Sequence, residues 1–168
     1  MPEKKTIERA KKDKREGKSA STQAGEFVRE EFEHIRAGKH GARSPEQAIA
    51  IGLSEARRAG VDLPPPKKGK ASAETVKQAK RDLKAGRKNT SSHKSTKRAR
   101  ASSKALQREG HSAASKRAIA KHSRKSARKR TATERSAAAK KAARTKGARE
   151  RSAAARKAAR TRAKNRNG

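Results

Sequence analysis

The sequence predicts an all-α protein: a short helical hairpin followed by a long, largely disordered or fluctuating-helix basic tail. Three observations predict it. Nine of the 14 Val, Ile, Leu and Phe side chains fall between positions 27 and 63, at helical rather than alternating spacing. Residues 1–66 carry 14 Lys/Arg and 11 Asp/Glu, whereas residues 67–168 carry 36 and 5, so nearly all the net charge of +34 lies in the second segment. The last of the five prolines is Pro66, so no proline interrupts a helix after it.

Residues 1–20 read as a charged, solvated arm. A stretch over 6–16 permits a helix ending at Gly17, but its only large apolar side chain is Ile7. Residues 21–63 read as the hairpin module. Ser21 or Thr22 caps a first helix over 22–37, in which Phe27, Val28, Phe32 and Ile35 form one stripe. Glu26, Glu30, Glu31 and Glu33 take the opposite face, and Gly38 fits the C′ position. A second helix is expected over 45–59. Ser44 is its N-cap, Pro45 sits at N1, and Gln47 at N3 completes a capping box. Ile49, Leu53 and Ala56 form its stripe, and Gly60 ends it with Val61 packing back on Ala56. Phe27, Val28, Phe32, Ile35, Ile49 and Leu53 then have two readings, as the hairpin's own core or as an interaction face for a second copy or a protein partner. The hairpin alone buries too little to be firmly stable, so it needs such a partner, a dimer or a third helix.

Residues 64–92 read as a spacer. Pro64-Pro65-Pro66 forms a stiff extended element. A short helix over 72–85 follows, capped by Ser72, striped by Val76, Ala79 and Leu83, and stopped by Gly86. The polar run GRKNTSSHKSTK at 86–97 reads as a linker. Residues 93–168 form the basic tail. Its segments 95–109 and 112–130 are rich in Ala, Lys and Arg but have no apolar face worth burying. The end of the tail is an internal repeat: ERSAAAKKAARTK at 134–146 recurs as ERSAAARKAARTR at 150–162, with Lys140/Arg156 and Lys146/Arg162 as the only differences.

Composition narrows the function. Hydrophobic residues are 29% and aromatics 1%, against about 45–50% apolar in ordinary globular domains. That leaves little scaffold for a catalytic pocket, so no enzymatic activity is expected. Cysteine is absent, which removes disulfides and thiol chemistry. No P-loop, G-x-S-x-G or G-x-G-x-x-G motif occurs. The histidines His34, His40, His93, His111 and His122 read as solvated surface residues, so neither a metal nor a cofactor is expected. No membrane span or secretory leader is visible, and the expected location is the cytoplasm, with the nucleoid.

The charge excess predicts a polyanionic partner. In the repeat, Lys140, Lys141 and Arg144 cluster on one side of a helical wheel, as do Arg156, Lys157 and Arg160 in the second copy. With Lys125, Arg128, Lys129 and Arg130 these are the candidate nucleic-acid-binding residues. High helix propensity opposes like-charge repulsion at i, i+4, so a polyanion should raise helicity by removing the repulsion. The tail has no aromatic side chain on which bases could stack, which favours duplex DNA over single strands. Phosphate neutralisation by a non-sequence-specific, histone-like protein is the first reading. An RNA-binding or ribosome-associated protein is the second, and a protein-interaction module with an accessory tail is the third.

Two resemblances accompany these readings. SPEQAIAIGLSEAR, Ser44 to Arg57, within the segment that begins STQAGEFVREEFEHIRAGKHGAR, resembles a family of small basic bacterial proteins defined by a domain of unknown function. That resemblance implies a bacterial origin and no activity. SAAAKKAARTK and SAAARKAARTR resemble the Ala/Lys-rich tails of linker histones and bacterial histone-like proteins. It implies DNA compaction without sequence preference, although this tail lacks their proline and uses more arginine.

Overall fold

The computed structural model describes residues 2–67, 69–88, 96–145 and 147–166. Among the described residues the regular elements are all helical: α1 (Lys4–Arg15), α2 (Ala20–Arg36), α3 (Pro45–Arg58), α4 (Ala73–Lys88), α5 (Thr96–Gln107), a 3-10 turn (Ser112–Ala114), α6 (Lys116–Arg128), α7 (Ala132–Thr145) and α8 (Ala148–Arg166). The chain divides into two units, residues 1–122 and 123–168.

In the first unit the expected hairpin forms from α2 and α3. Ser44 caps α3, accepting a hydrogen bond from the Gln47 backbone N–H at 3.2 Å. The return half of the capping box is displaced by one residue, because Gln47 Oε1 accepts from the Arg43 N–H at 2.9 Å rather than from Ser44. Helix α2 ends in a Schellman turn. Gly38 takes φ +74°, the Lys39 N–H donates to the His34 carbonyl at 3.0 Å and the Gly38 N–H to Ile35 at 3.2 Å. Helix α3 ends the same way, the Val61 N–H donating to the Ala56 carbonyl at 3.0 Å, and both side chains are buried. The two helices approach closely at Gly52, where a Cβ would lie 2.7 Å from Val28 Cα.

The apolar stripe of the hairpin is closed from within the chain, on two sides. Phe27 joins Ala10, Ala24, Ala56 and Val61, with Ile7, Leu53 and Leu63 at the edge. Phe32 and Ile35 join Ala42, Ala48, Ala113 and Ala114, with Val28, Ile49 and Ile119 at the edge. Both covers correct the sequence reading. The arm expected to be solvated is helix α1, which buries Thr6, Ala10 and Asp13 against the hairpin. Its charges are matched to α2: Arg9 pairs with Glu26 at 2.9 Å, and the Glu3 backbone N–H donates to Glu30 Oε1 at 2.7 Å. Glu3 Oε1 meets His34 and Lys39 at 3.0 Å each, and these hydrogen bonds hold its carboxyl at about 2. The segment 112–130, expected to bury nothing, supplies Ala113 and Ala114 at 3% and 1% exposure. The loop 40–42 fastens this cover: Gly41 N–H donates to Leu106 at 2.9 Å, Ala42 N–H to Gly110 at 3.0 Å, and Arg36 Nε to the Ala114 carbonyl at 2.9 Å.

Helix α4 buries Ala79 of its expected stripe and adds a polar anchor. Val76 and Leu83 are only half-buried, whereas Asp82 is buried. Asp82 accepts from Ser54 Oγ at 2.6 Å and from Gln78 Nε2 at 3.0 Å, and Arg58 approaches it at 3.3 Å. Gly86 does not stop the helix, which continues to Lys88. It instead gives the Arg57 carbonyl room that a side chain would occupy. The linker expected at 86–97 falls largely on residues 89–95, including His93, outside the described residues.

The expectation of a largely disordered tail is corrected as well: α5, α6, α7 and α8 run through it. Helix propensity and absence of proline win locally, and alanine backs let each helix persist with few tertiary contacts.

Two glycines in the hairpin make the packing testable. Gly25 on α2 has open space around its Cβ position, so Gly25→Ala should stabilise the full chain by about 0.5–1 kcal/mol. Gly52→Ala must push Val28 aside and should cost about 1–3 kcal/mol. Urea denaturation followed by circular dichroism reads both, and shifts of the same sign would contradict the close approach.

Candidate nucleic-acid interface

The second unit has 18 Lys/Arg and 2 Asp/Glu in 46 residues, a net of +16. None of its described residues is buried. All ten candidate cations lie here and all are exposed. Lys125 and Arg128 are on α6, Lys129 and Arg130 in the turn after it, Lys140, Lys141 and Arg144 on α7, and Arg156, Lys157 and Arg160 on α8. Each copy of the repeat is thus one helix. Lys146, one of the two repeat differences, lies outside the described residues.

The repeat is a helix-start device as much as a charge pattern. In the first copy Thr131 and Glu134 form a reciprocal capping box. The Glu134 N–H donates to Thr131 Oγ1 at 3.1 Å, and the Thr131 N–H donates to Glu134 Oε2 at 2.9 Å. Sixteen residues on, Gly147 and Glu150 occupy the same places, and glycine is the other tolerated start. Both acids of the unit therefore sit in first turns, where the helix dipole favours negative charge. At the junction, Arg151 Nη1 donates to the Ala143 carbonyl in the last turn of α7.

These helices present cations at a density suited to a charged rod. Helix α8 carries eight Lys/Arg and one Glu over about 28 Å at 1.5 Å per residue. Duplex DNA offers about one phosphate per 1.7 Å of axis. Two carboxylates cannot neutralise 18 cations, so the unit keeps a large net positive charge. The alanines at 137–139, 142–143, 153–155 and 158–159 put only methyl groups on the rest of the helix surface.

The six hairpin residues weighed as an interaction face are placed in the apolar clusters of the first unit. Phe27, Phe32 and Ile35 are 1%, 8% and 0% exposed, and Val28, Ile49 and Leu53 pack half-buried at the edges. Two histidines read as solvated are also partly enclosed: the His34 and His40 side chains are 18% and 20% exposed. Spacing gave no sign of this, because the enclosure comes from α1 and the chain reversal at Gly38. His122 bonds Glu46 at 3.0 Å and, with the backbone at the α3 start, holds that carboxyl at about 2.

No helix of the described residues is long and apolar enough to cross a membrane. Residues 3–68 match a family described as a family of unknown function (DUF6496). The match agrees with the resemblance carried by SPEQAIAIGLSEAR and extends it back through α1. It stops before α4, so α4–α8 lie outside it. No curated protein and no solved structure matches the chain.

Because α7 has its cap and little packing, Thr131→Ala should cost about 1 kcal/mol at that helix start. It should lower the far-ultraviolet helical signal of the full chain measurably, whereas Thr161→Ala on α8, whose hydroxyl only donates back to the Lys157 carbonyl, should not.

Proposed function

We propose that this chain binds duplex DNA without sequence preference, as a histone-like, nucleoid-associated protein acting by phosphate neutralisation. The observation that carries the reading is the second unit: 18 cations against two carboxylates, on capped helices with no buried side chain among the described residues. A surface of that charge gains free energy by releasing condensed counterions from a phosphate polymer, whatever its sequence. Lys140, Lys141, Arg144, Arg156, Lys157 and Arg160 are the principal contacts, with Lys125, Arg128, Lys129 and Arg130 extending the surface. Both aromatic residues of the chain, Phe27 and Phe32, are buried, so no ring is offered to unstacked bases. That favours a paired duplex, whose minor groove accepts arginine without base-specific contact.

Helicity and binding are coupled in this account. Like charges at i, i+4, such as Lys140 and Arg144, repel, and phosphates between them replace that repulsion with attraction. The helical content of the second unit should therefore be highest on DNA.

Salt titration of duplex binding tests the reading. With ten phosphates engaged, log K should fall against log[salt] with a slope of about −9. Changing the six principal contacts to Gln should flatten the slope by about 5, and deleting residues 131–168 should weaken binding and flatten it also. Duplexes of different sequence should bind alike. An unchanged slope would remove the tail from the interface, and stronger competition by structured RNA than by duplex would move the protein to an RNA-associated role.

A further inference from the structure

The first unit buries two adjacent glutamates and leaves part of each unanswered. Glu30 and Glu31 are 3% and 2% exposed, and Glu30 Oε2 and Glu31 Oε1 have no hydrogen-bond partner. A buried carboxylate oxygen without a donor is a costly feature that calls for a cation or a proton. Glu30 is served by the Glu3 backbone N–H at 2.7 Å and lies 3.6 Å from His34 Nε2. Glu31 is served less well. Its ion-pair partner is His40, whose Nε2 stands 3.6 Å from Glu31 Oε2, beyond hydrogen-bond reach. Burial first, and the Glu55 charge second, push the Glu31 carboxyl up to about 7.

The surroundings of Glu31 are built from two directions. His34 lies one helical turn on along α2, on the same face. The Schellman turn at Gly38 reverses the chain and returns His40 over the last turn of α2, with the His34 and His40 ring centroids 6.2 Å apart and their planes 80° to each other. His40 Nδ1 is 3.2 Å from the Gly41 carbonyl, which can only accept, so Nδ1 donates there and Nε2 is the ring nitrogen turned toward Glu31. One ligand atom each from Glu31, His34 and His40 lie within 4.8 Å of one another.

We propose that Glu31, His34 and His40 bind a divalent transition-metal ion, Zn²⁺ in class, between the last turn of α2 and the loop that follows. Two imidazole nitrogens and one carboxylate oxygen suit a borderline-soft ion and do not suit Mg²⁺ or Ca²⁺, which take oxygen ligands. Tetrahedral bonds of about 2.0–2.1 Å place ligand atoms about 3.3 Å apart, so the three side chains close in by at most about 1.5 Å on binding. Three protein ligands leave a fourth position to water. The neighbouring group Glu3, Glu30 and His34 also gathers its ligand atoms within 4.8 Å, but there the Lys39 ammonium already stands 3.0 Å from Glu3 Oε1. The ion therefore belongs on the Glu31 side, with Glu3 and Glu30 as outer carboxylates that orient His34. The same loop donates from Gly41 and Ala42 to the carbonyls of Leu106 and Gly110, so the ion fastens α2 to the strap that covers its apolar face. The site stands independently of DNA binding.

The test uses the full chain, freed of nucleic acid and stripped with chelator, titrated with Zn²⁺ by calorimetry and with Co²⁺ as a visible-absorbing probe. One equivalent should bind, Co²⁺ should show an intense ligand-field band of a tetrahedral site, and Zn²⁺ should raise the melting temperature. His40→Gln and Glu31→Gln should each weaken Zn²⁺ by tenfold or more, while His111→Gln should leave it unchanged. Glu31→Gln removes a buried charge, so a folded circular dichroism spectrum is expected and loss of binding is not loss of fold. Absence of one-equivalent binding at micromolar Zn²⁺, or binding that survives both His40→Gln and Glu31→Gln, would overturn the proposal.

Discussion

Positive charge that the chain has no acid to neutralise is the constraint on which the rest depends. Residues 1–66 of the first unit carry 14 Lys/Arg and 11 Asp/Glu, and acids of this unit are used in pairs: Arg9 with Glu26, Lys18 with Asp13, Arg58 with Asp82, Arg87 with Asp62. Each exposed pair is worth little alone, and together they offset only part of the repulsion in a fold with little apolar material. In the second unit the acids number two and both serve helix starts. Its helices rest on propensity, capping and alanine, and 18 cations against two acids leave them a large net positive charge.

The first unit makes a core from small residues. Among the described residues only Phe27, Phe32, Ile35 and Val61 are large apolar side chains with less than a tenth of their surface exposed; alanines supply most of the rest. Small residues bury little area each, so the backbones must come close for dispersion to contribute. Gly41, Gly52 and Gly86 allow it, meeting the Glu109, Phe27–Val28 and Arg57 backbones respectively. The cost is intolerance: a methyl group at any of the three displaces backbone rather than a flexible side-chain tip.

The hairpin was legible in the sequence because its signals are local. Ser44-Pro45, Gly38, Gly60 and the 27-28-32-35 spacing act within a few residues, and each lands within two residues of its place. What covers the hairpin was not legible. Thr6, Ala10 and Asp13 on α1, and Ala113 and Ala114, bury small or polar side chains over sequence separations that periodicity does not span. For the same reason Glu30 and Glu31 read only as part of the face opposite the stripe: the helical wheel shows which residues share a side of α2, not that α1 and the 40–42 loop occupy it. The candidate cations were legible because exposure and charge excess need no tertiary information. Their grouping into two capped helices follows from the 16-residue period, though Thr131 as the cap emerges only from its bonds with Glu134.

The central claim, that the second unit recognises charge on a phosphate polymer, is tested most directly by removing that charge from the ligand alone. A duplex with uncharged methylphosphonate linkages keeps its bases and grooves but offers no anions. Measured at one fixed ionic strength, affinity for this duplex should drop by orders of magnitude relative to the natural phosphodiester of the same sequence. Equal affinity for the two would contradict the account.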